Sequence, residues 1–260
     1  MEPIEPQTMS IKVNIKYELF GTWCAPIFFA LALGGWFVLA HWFDPAGASL
    51  SPEQLKAWYA DRRFEVILGM SVFCLSTAFF CIYTIQVGLW LWRFEGRSPL
   101  MSLAQLFGGF SVVIYVFVSN CLWIGVAYRA DTPANPDVLV GLNDAAWFSF
   151  LVGWVGLTQQ MLATAAVTWH DRRRQPLVPR WFTKATIIGA LFVPMANGCA
   201  FAMTGAFAWN GLLGFYIPIV IWGVWSDGLA YYMRKDIKRR QAELDAEADP
   251  QLSKDMESVE

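Results

Sequence analysis

The chain alternates between long stretches without formal charge and short stretches crowded with it. Between Glu18 and Asp44 there are 25 uncharged residues, between Glu65 and Arg93 there are 27, between Arg97 and Arg129 there are 31, and between Asp144 and Asp171 there are 26. A helix rising 1.5 Å per residue needs about 20 residues to cross about 30 Å of hydrocarbon, so each stretch predicts one membrane span. A fifth uncharged stretch, 185–226, is 42 residues long and contains the turn-rich run "TGAFAWNG". It predicts a helical hairpin with a very short outer turn.

The pattern therefore predicts an all-α integral membrane protein, a six-helix transmembrane bundle with spans at 22–42, 66–92, 104–127, 145–169, 185–205 and 209–233. Segment 1–21 precedes the bundle. Segment 234–260 follows it, basic at first and then acidic, with too little apolar content to pack; it is expected to be disordered or a frayed helix. The first span is too long for the apolar region of a signal peptide and is expected to act as an uncleaved insertion signal.

Charge adds the orientation. With the N-terminus inside, Lys and Arg near the span ends divide 14 to 4 in favour of the inner side, Arg93, Arg97, Arg172, Arg173, Arg174 and Arg234 among them. Both termini are thus expected to be cytoplasmic, in the plasma membrane, the inner membrane of a bacterium. In the first outer loop, Ser51 as N-cap, Pro52 at the first helical position and Gln54 in capping-box register predict a short surface helix over 52–62. Trp58 and Tyr59 are expected at headgroup level. The basic run 234–240 is expected to lie against anionic headgroups.

Composition agrees with the membrane reading: 56% of residues are hydrophobic, 15% are charged, and there are 14 Trp and 20 Phe. Trp and Tyr at predicted boundaries, Trp42, Trp90, Trp92, Tyr128, Trp169, Trp209, Tyr231 and Tyr232, resemble an aromatic belt. Deeper aromatics such as Trp154 and Trp222 read as core or as the wall of an apolar pocket. Small pairs, including Gly34 with Gly35 and Gly108 with Gly109, allow close helix approach.

Candidate chemistry is sparse. His41 and His170 are near opposite membrane faces and cannot share a metal, and all five cysteines fall inside predicted spans. No phosphate loop, dinucleotide fingerprint or nucleophile elbow is present. No metal, cofactor, catalytic group or nucleic-acid partner is expected; the expected partners are the lipid bilayer, a small hydrophobic ligand, and a second copy or a membrane partner protein.

What composition leaves unexplained is depth. Asp227 is seven residues inside Arg234, Gln86 seven inside Arg93, Gln105 eight inside Arg97, and Gln160 ten inside His170. At 1.5 Å per residue these four make an inner polar layer on the order of 10 Å below one surface. Asn120, Asn197 and Asp144 form a looser outer layer, and Pro194 and Pro218 between the layers allow kinks around a cavity. Polar groups at such depth are costly unless paired or hydrated. The layers predict either an internal path or a set of helix–helix hydrogen bonds.

Three functions fit: a small transporter or permease-like protein for a small apolar or aromatic molecule, with Asp227 able to exchange a proton; a non-catalytic membrane subunit or scaffold docking partner proteins; and a membrane enzyme acting on a hydrophobic substrate.

Overall fold

A computed structural model describes the backbone of residues 15–248 and the side chains of residues 15–245. The expectations for residues 1–14 and for the acidic end, 249–260, lie outside the described residues. Every regular element among the described residues is helical. In order these are α1 (Ile15–Leu33), α2 (Pro52–Asp61), α3 (Arg63–Glu95), α4 (Leu100–Ala130), α5 (Pro136–Val152), α6 (Val155–His170), α7 (Arg180–Phe192) and α8 (Ile217–Ala248). A π-helical stretch, Gly34–Leu39, extends α1; a 3-10 stretch, Val193–Phe201, extends α7; and a π-helical turn, Leu212–Tyr216, leads into α8.

Six of the resulting helical stretches are long and apolar enough to cross a membrane: Ile15–Leu39, Arg63–Glu95, Leu100–Ala130, Pro136–His170, Arg180–Phe201 and Leu212–Asp245. Their perimeter is apolar, with Leu75, Phe107, Ile114 and Val155 all exposed. The chain is a multi-pass membrane protein. The turns at 96–99 and 171–179 mark one end of the bundle, called here the basic end; α2 and the turn at 202–211 mark the opposite end.

Local chemistry explains where the elements start and stop. Ser51 Oγ accepts from Gln54 N at 3.3 Å, and Ser51 N donates to Gln54 Oε1 at 2.9 Å, closing the expected capping box with Pro52 behind it. Asn135 caps α5 by accepting from Asp137 N, again with Pro next in line. The fourth span bends at Gly153 and Trp154, where α4 comes so close that a Cβ on Gly153 would lie 2.7 Å from the Tyr115 ring. Pro194 lacks an N–H and crowds the carbonyl four residues back, and α7 gives way to the 3-10 stretch at Val193. Pro218 is not mid-span: it is the second residue of α8, immediately after the π-helical turn.

The basic run belongs to the last helix. α8 continues without a break through the basic run to Ala248, so residues 234–248 are helix. Charge pairs at helical spacing accompany the extension: Asp236 with Arg239 and Arg240, and Arg239 with Glu243.

The core is a tryptophan assembly toward the opposite end. The Trp147 ring stacks on Trp42 at 5.8 Å and on Trp209 at 5.6 Å, and meets Trp36 and Trp123 edge-on. Trp36 donates to the carbonyl of Trp42, and Trp209 to that of Ala46. Trp42, Trp90 and Trp209, expected at a membrane boundary, are therefore buried, whereas Trp92, Tyr128, Trp169 and Tyr231 are exposed as a belt requires. Tyr59 is buried too, and its hydroxyl donates to Asn143 Oδ1 at 2.7 Å, fastening α2 to α5. That burial pushes the Tyr59 phenol well above its ordinary pKa.

Candidate functional site

The inner polar residues separate once helix rotation is known. Gln105 on α4 and Gln160 on α6 are both fully buried and donate through Nε2 to Thr84 Oγ1 on α3, at 3.3 and 2.8 Å. Gly109 makes room for this knot, since a Cβ there would fall 1.6 Å from Thr84 Oγ1. One hydroxyl thus ties three helices together. Gln86, two residues beyond Thr84, points instead at α1, where Gly21 packs directly on its side chain. Its Nε2 is buried without a hydrogen-bond partner among the described residues.

Asp227 joins neither group. It lines a groove of about 460 Å³ between α1 and α8, together with Phe29, Leu33, Phe37, Tyr216 and Gly223. Its Oδ1 is buried with no hydrogen-bond partner among the described residues. Val220 and Val224, 61% and 69% exposed, form the rim, so the groove opens along the side of the bundle.

The outer residues are likewise dispersed. Asn120 donates to Val116 O on its own helix at 2.8 Å and leaves Oδ1 buried with no partner among the described residues. Asn197 lies in the 3-10 stretch, its Oδ1 without a partner among the described residues. Asp144 is half-buried, while its neighbour Asn143 makes the contact to Tyr59. No hydrogen bond joins any two of Asn120, Asn197 and Asp144 among the described residues.

A charged cluster at the basic end has no counterpart in the sequence reading. Glu18 accepts two bonds from Arg93 (2.9 and 2.5 Å) and one from Arg240 (2.6 Å). Asp236, buried, accepts from Trp90 Nε1 at 2.9 Å and pairs with Arg239 and Arg240. Arg234 turns inward as well, donating to Thr22 O and lying over the Trp23 ring at 4.5 Å. Three arginines expected at headgroups are therefore bonded within the protein. The sequence signal that could have exposed this is Asp236 itself, an acid three and four residues before two arginines.

Nearby, Asp171 organises the turn after α6. It accepts from the Arg173 guanidinium at 2.9 and 2.8 Å and from the backbone N–H of Leu177 at 2.7 Å. Burial alone would raise its pKa, but these donors and the Arg173 charge outweigh it and bring the carboxyl down to about 2.

A second groove, of about 520 Å³, runs between α7 and α8 on the other side of Val220 and Val224. Met161, Thr186, Gly189, Trp225, Trp181, Tyr231 and Tyr232 are among the residues that line it. No three His, Cys, Asp or Glu side chains gather into a metal-binding group among the described residues. No protein-family model, curated protein or solved structure matches this chain.

Proposed function

We propose that this membrane protein is a permease-like carrier for a small apolar or aromatic molecule, which enters sideways from the bilayer through the groove between α1 and α8. One observation carries the reading: Asp227 lines an otherwise apolar groove, and its buried Oδ1 has no hydrogen-bond partner among the described residues. A carboxylate oxygen at membrane depth without a donor is costly, and a proton or a ligand N–H, O–H or ammonium relieves the cost. The site thus favours an aromatic or apolar body bearing one donor. The 14 to 4 division of basic residues supports both termini being cytoplasmic, in a bacterial inner membrane.

The test is equilibrium binding of tritiated indole and benzylamine to the purified protein in lipid nanodiscs. Saturable binding that Gly223→Phe abolishes supports the reading. A Cβ at Gly223 comes no nearer than 3.8 Å to the Phe29 ring, so the bulky side chain enters the groove and not the core. Equal binding to wild type and Gly223→Phe contradicts it.

A second reading, a non-catalytic membrane subunit that docks a partner protein or a second copy, draws support from the closed interior. The Gln105–Thr84–Gln160 knot ties α3, α4 and α6 together, and the buried Trp36, Trp42, Trp123 and Trp147 pack against one another toward the opposite end. Constant co-purification with one partner, together with wild-type behaviour of Asp227→Asn, favours it.

A further inference from the structure

The apolar groove between α7 and α8 meets a second cavity at the basic end of the bundle. Tyr232 is part of the wall of both, and the second cavity has a volume of about 570 Å³. That cavity is bordered by Arg174, Gln175, Pro179, Lys235, Asp236 and Arg239. It holds three cations and one carboxylate, and the carboxylate is already bonded to Trp90 and paired with Arg239. Arg174 and Lys235 are exposed and take part in no ion pair among the described residues. Pro179, which caps α7, stands in the same wall, so the positive end of that helix adds to the field.

The order along the surface is therefore an apolar trough, an aromatic rim at Trp181, Tyr231 and Tyr232, and then an electropositive cup. An unpaired pair of cations next to an apolar trough suits a molecule with an anionic head and a hydrocarbon tail. A soluble anion leaves the trough empty, and a neutral lipid leaves the cations unanswered. We infer that these two cavities form one seat for a single anionic phospholipid, its phosphate between Arg174 and Lys235 and an acyl chain in the α7–α8 groove. General attraction of basic residues to an anionic leaflet is diffuse and indifferent to the groove. A seat is saturable and needs both parts.

The seat is tested on the full-length protein in mild detergent by native mass spectrometry during titration with phosphatidylglycerol or phosphatidylcholine. The expected result is one tightly held phosphatidylglycerol per chain, preferred at least tenfold over phosphatidylcholine. Arg174→Gln with Lys235→Gln should remove the preference, and Ala185→Trp, whose exposed position borders the trough, should weaken retention with the cations intact. All three substitutions are at exposed positions, and circular dichroism and monodispersity check that the bundle is unchanged. Equal retention of the two lipids overturns the inference. So does binding that survives both variants, or full competition by inorganic phosphate, which would make the cup an anion site without a chain. A dimer that excludes lipid from the groove also overturns it, by making the occupant a second copy.

Discussion

Trp90 and Asp236 are 146 residues apart, yet the indole Nε1 of one donates to Oδ2 of the other at 2.9 Å with both side chains buried. This bond draws the start of the charged extension of α8 against α3, and the Glu18 pairs with Arg93 and Arg240 add α1 to the same fastening. Trp90→Phe keeps the aromatic bulk and removes only the donor. A hydrogen bond to a charged group contributes about 1.5–3 kcal/mol, and the variant should lose an amount in that range. Reversible unfolding in mixed detergent micelles measures it; an unchanged midpoint would mean the bond is not a fastening.

Gly34 and Gly35 are adjacent but should respond oppositely to Ala. A Cβ on Gly35 would stand 2.5 Å from Gly69 O on α3, a backbone atom that cannot swing away, whereas a Cβ on Gly34 meets nothing within 4 Å. Gly35→Ala should cost several kcal/mol or abolish folding, on the scale of overpacking. Gly34→Ala should be within about 0.5 kcal/mol of wild type, as open-surface changes are. Thermal melts of the two variants side by side decide the matter.

Thr84→Val retains the shape of the side chain while removing the one acceptor shared by Gln105 and Gln160. Two buried amide donors then lack a partner, and the expected loss is about 1–3 kcal/mol. Thr84→Ser should restore most of it. Equal stability of the Val and Ser variants would show that the knot contributes only packing.

Asp171 gives a pH dependence whose direction is fixed. Its folded-state pKa, about 2, is below the ordinary 3.8, so its stabilising contribution is complete above the ordinary value and is lost as pH falls through the folded one. Wild type should lose stability relative to Asp171→Asn as pH is lowered from 5 to 2. Melting temperatures of the pair across that range should converge toward low pH; parallel curves contradict the assignment.

The six spans were legible because a charge-free run of more than about 20 residues has few alternatives, and the start of α2 was legible because Ser51, Pro52 and Gln54 each state the same boundary. Counting inward from Arg93, Arg97, His170 and Arg234 assigns Gln86, Gln105, Gln160 and Asp227 a position along their helices only. Rotation was not legible. A span that is apolar all round has no amphipathic stripe to say which face turns inward, so counting could not reveal that Gln105 and Gln160 meet at Thr84, that Gln86 faces Gly21, or that Asp227 opens to a lateral groove. The same blindness put Trp42 and Trp209 in a belt when they stack on Trp147 in the core. The basic run looks like a headgroup anchor in sequence because its partners, Glu18, Trp90 and Thr22, lie far away along the chain.

The carrier reading depends on Asp227, and uptake of tritiated indole and benzylamine into proteoliposomes at several external pH values tests it most directly. Wild type should take up at least one of the two saturably, with a rate that changes with pH; Asp227→Asn, inserted to the same level, should lose at least tenfold in rate and all dependence on pH. Uptake by Asp227→Asn that matches wild type in rate and pH profile, or no saturable uptake of either compound by wild type, contradicts the account.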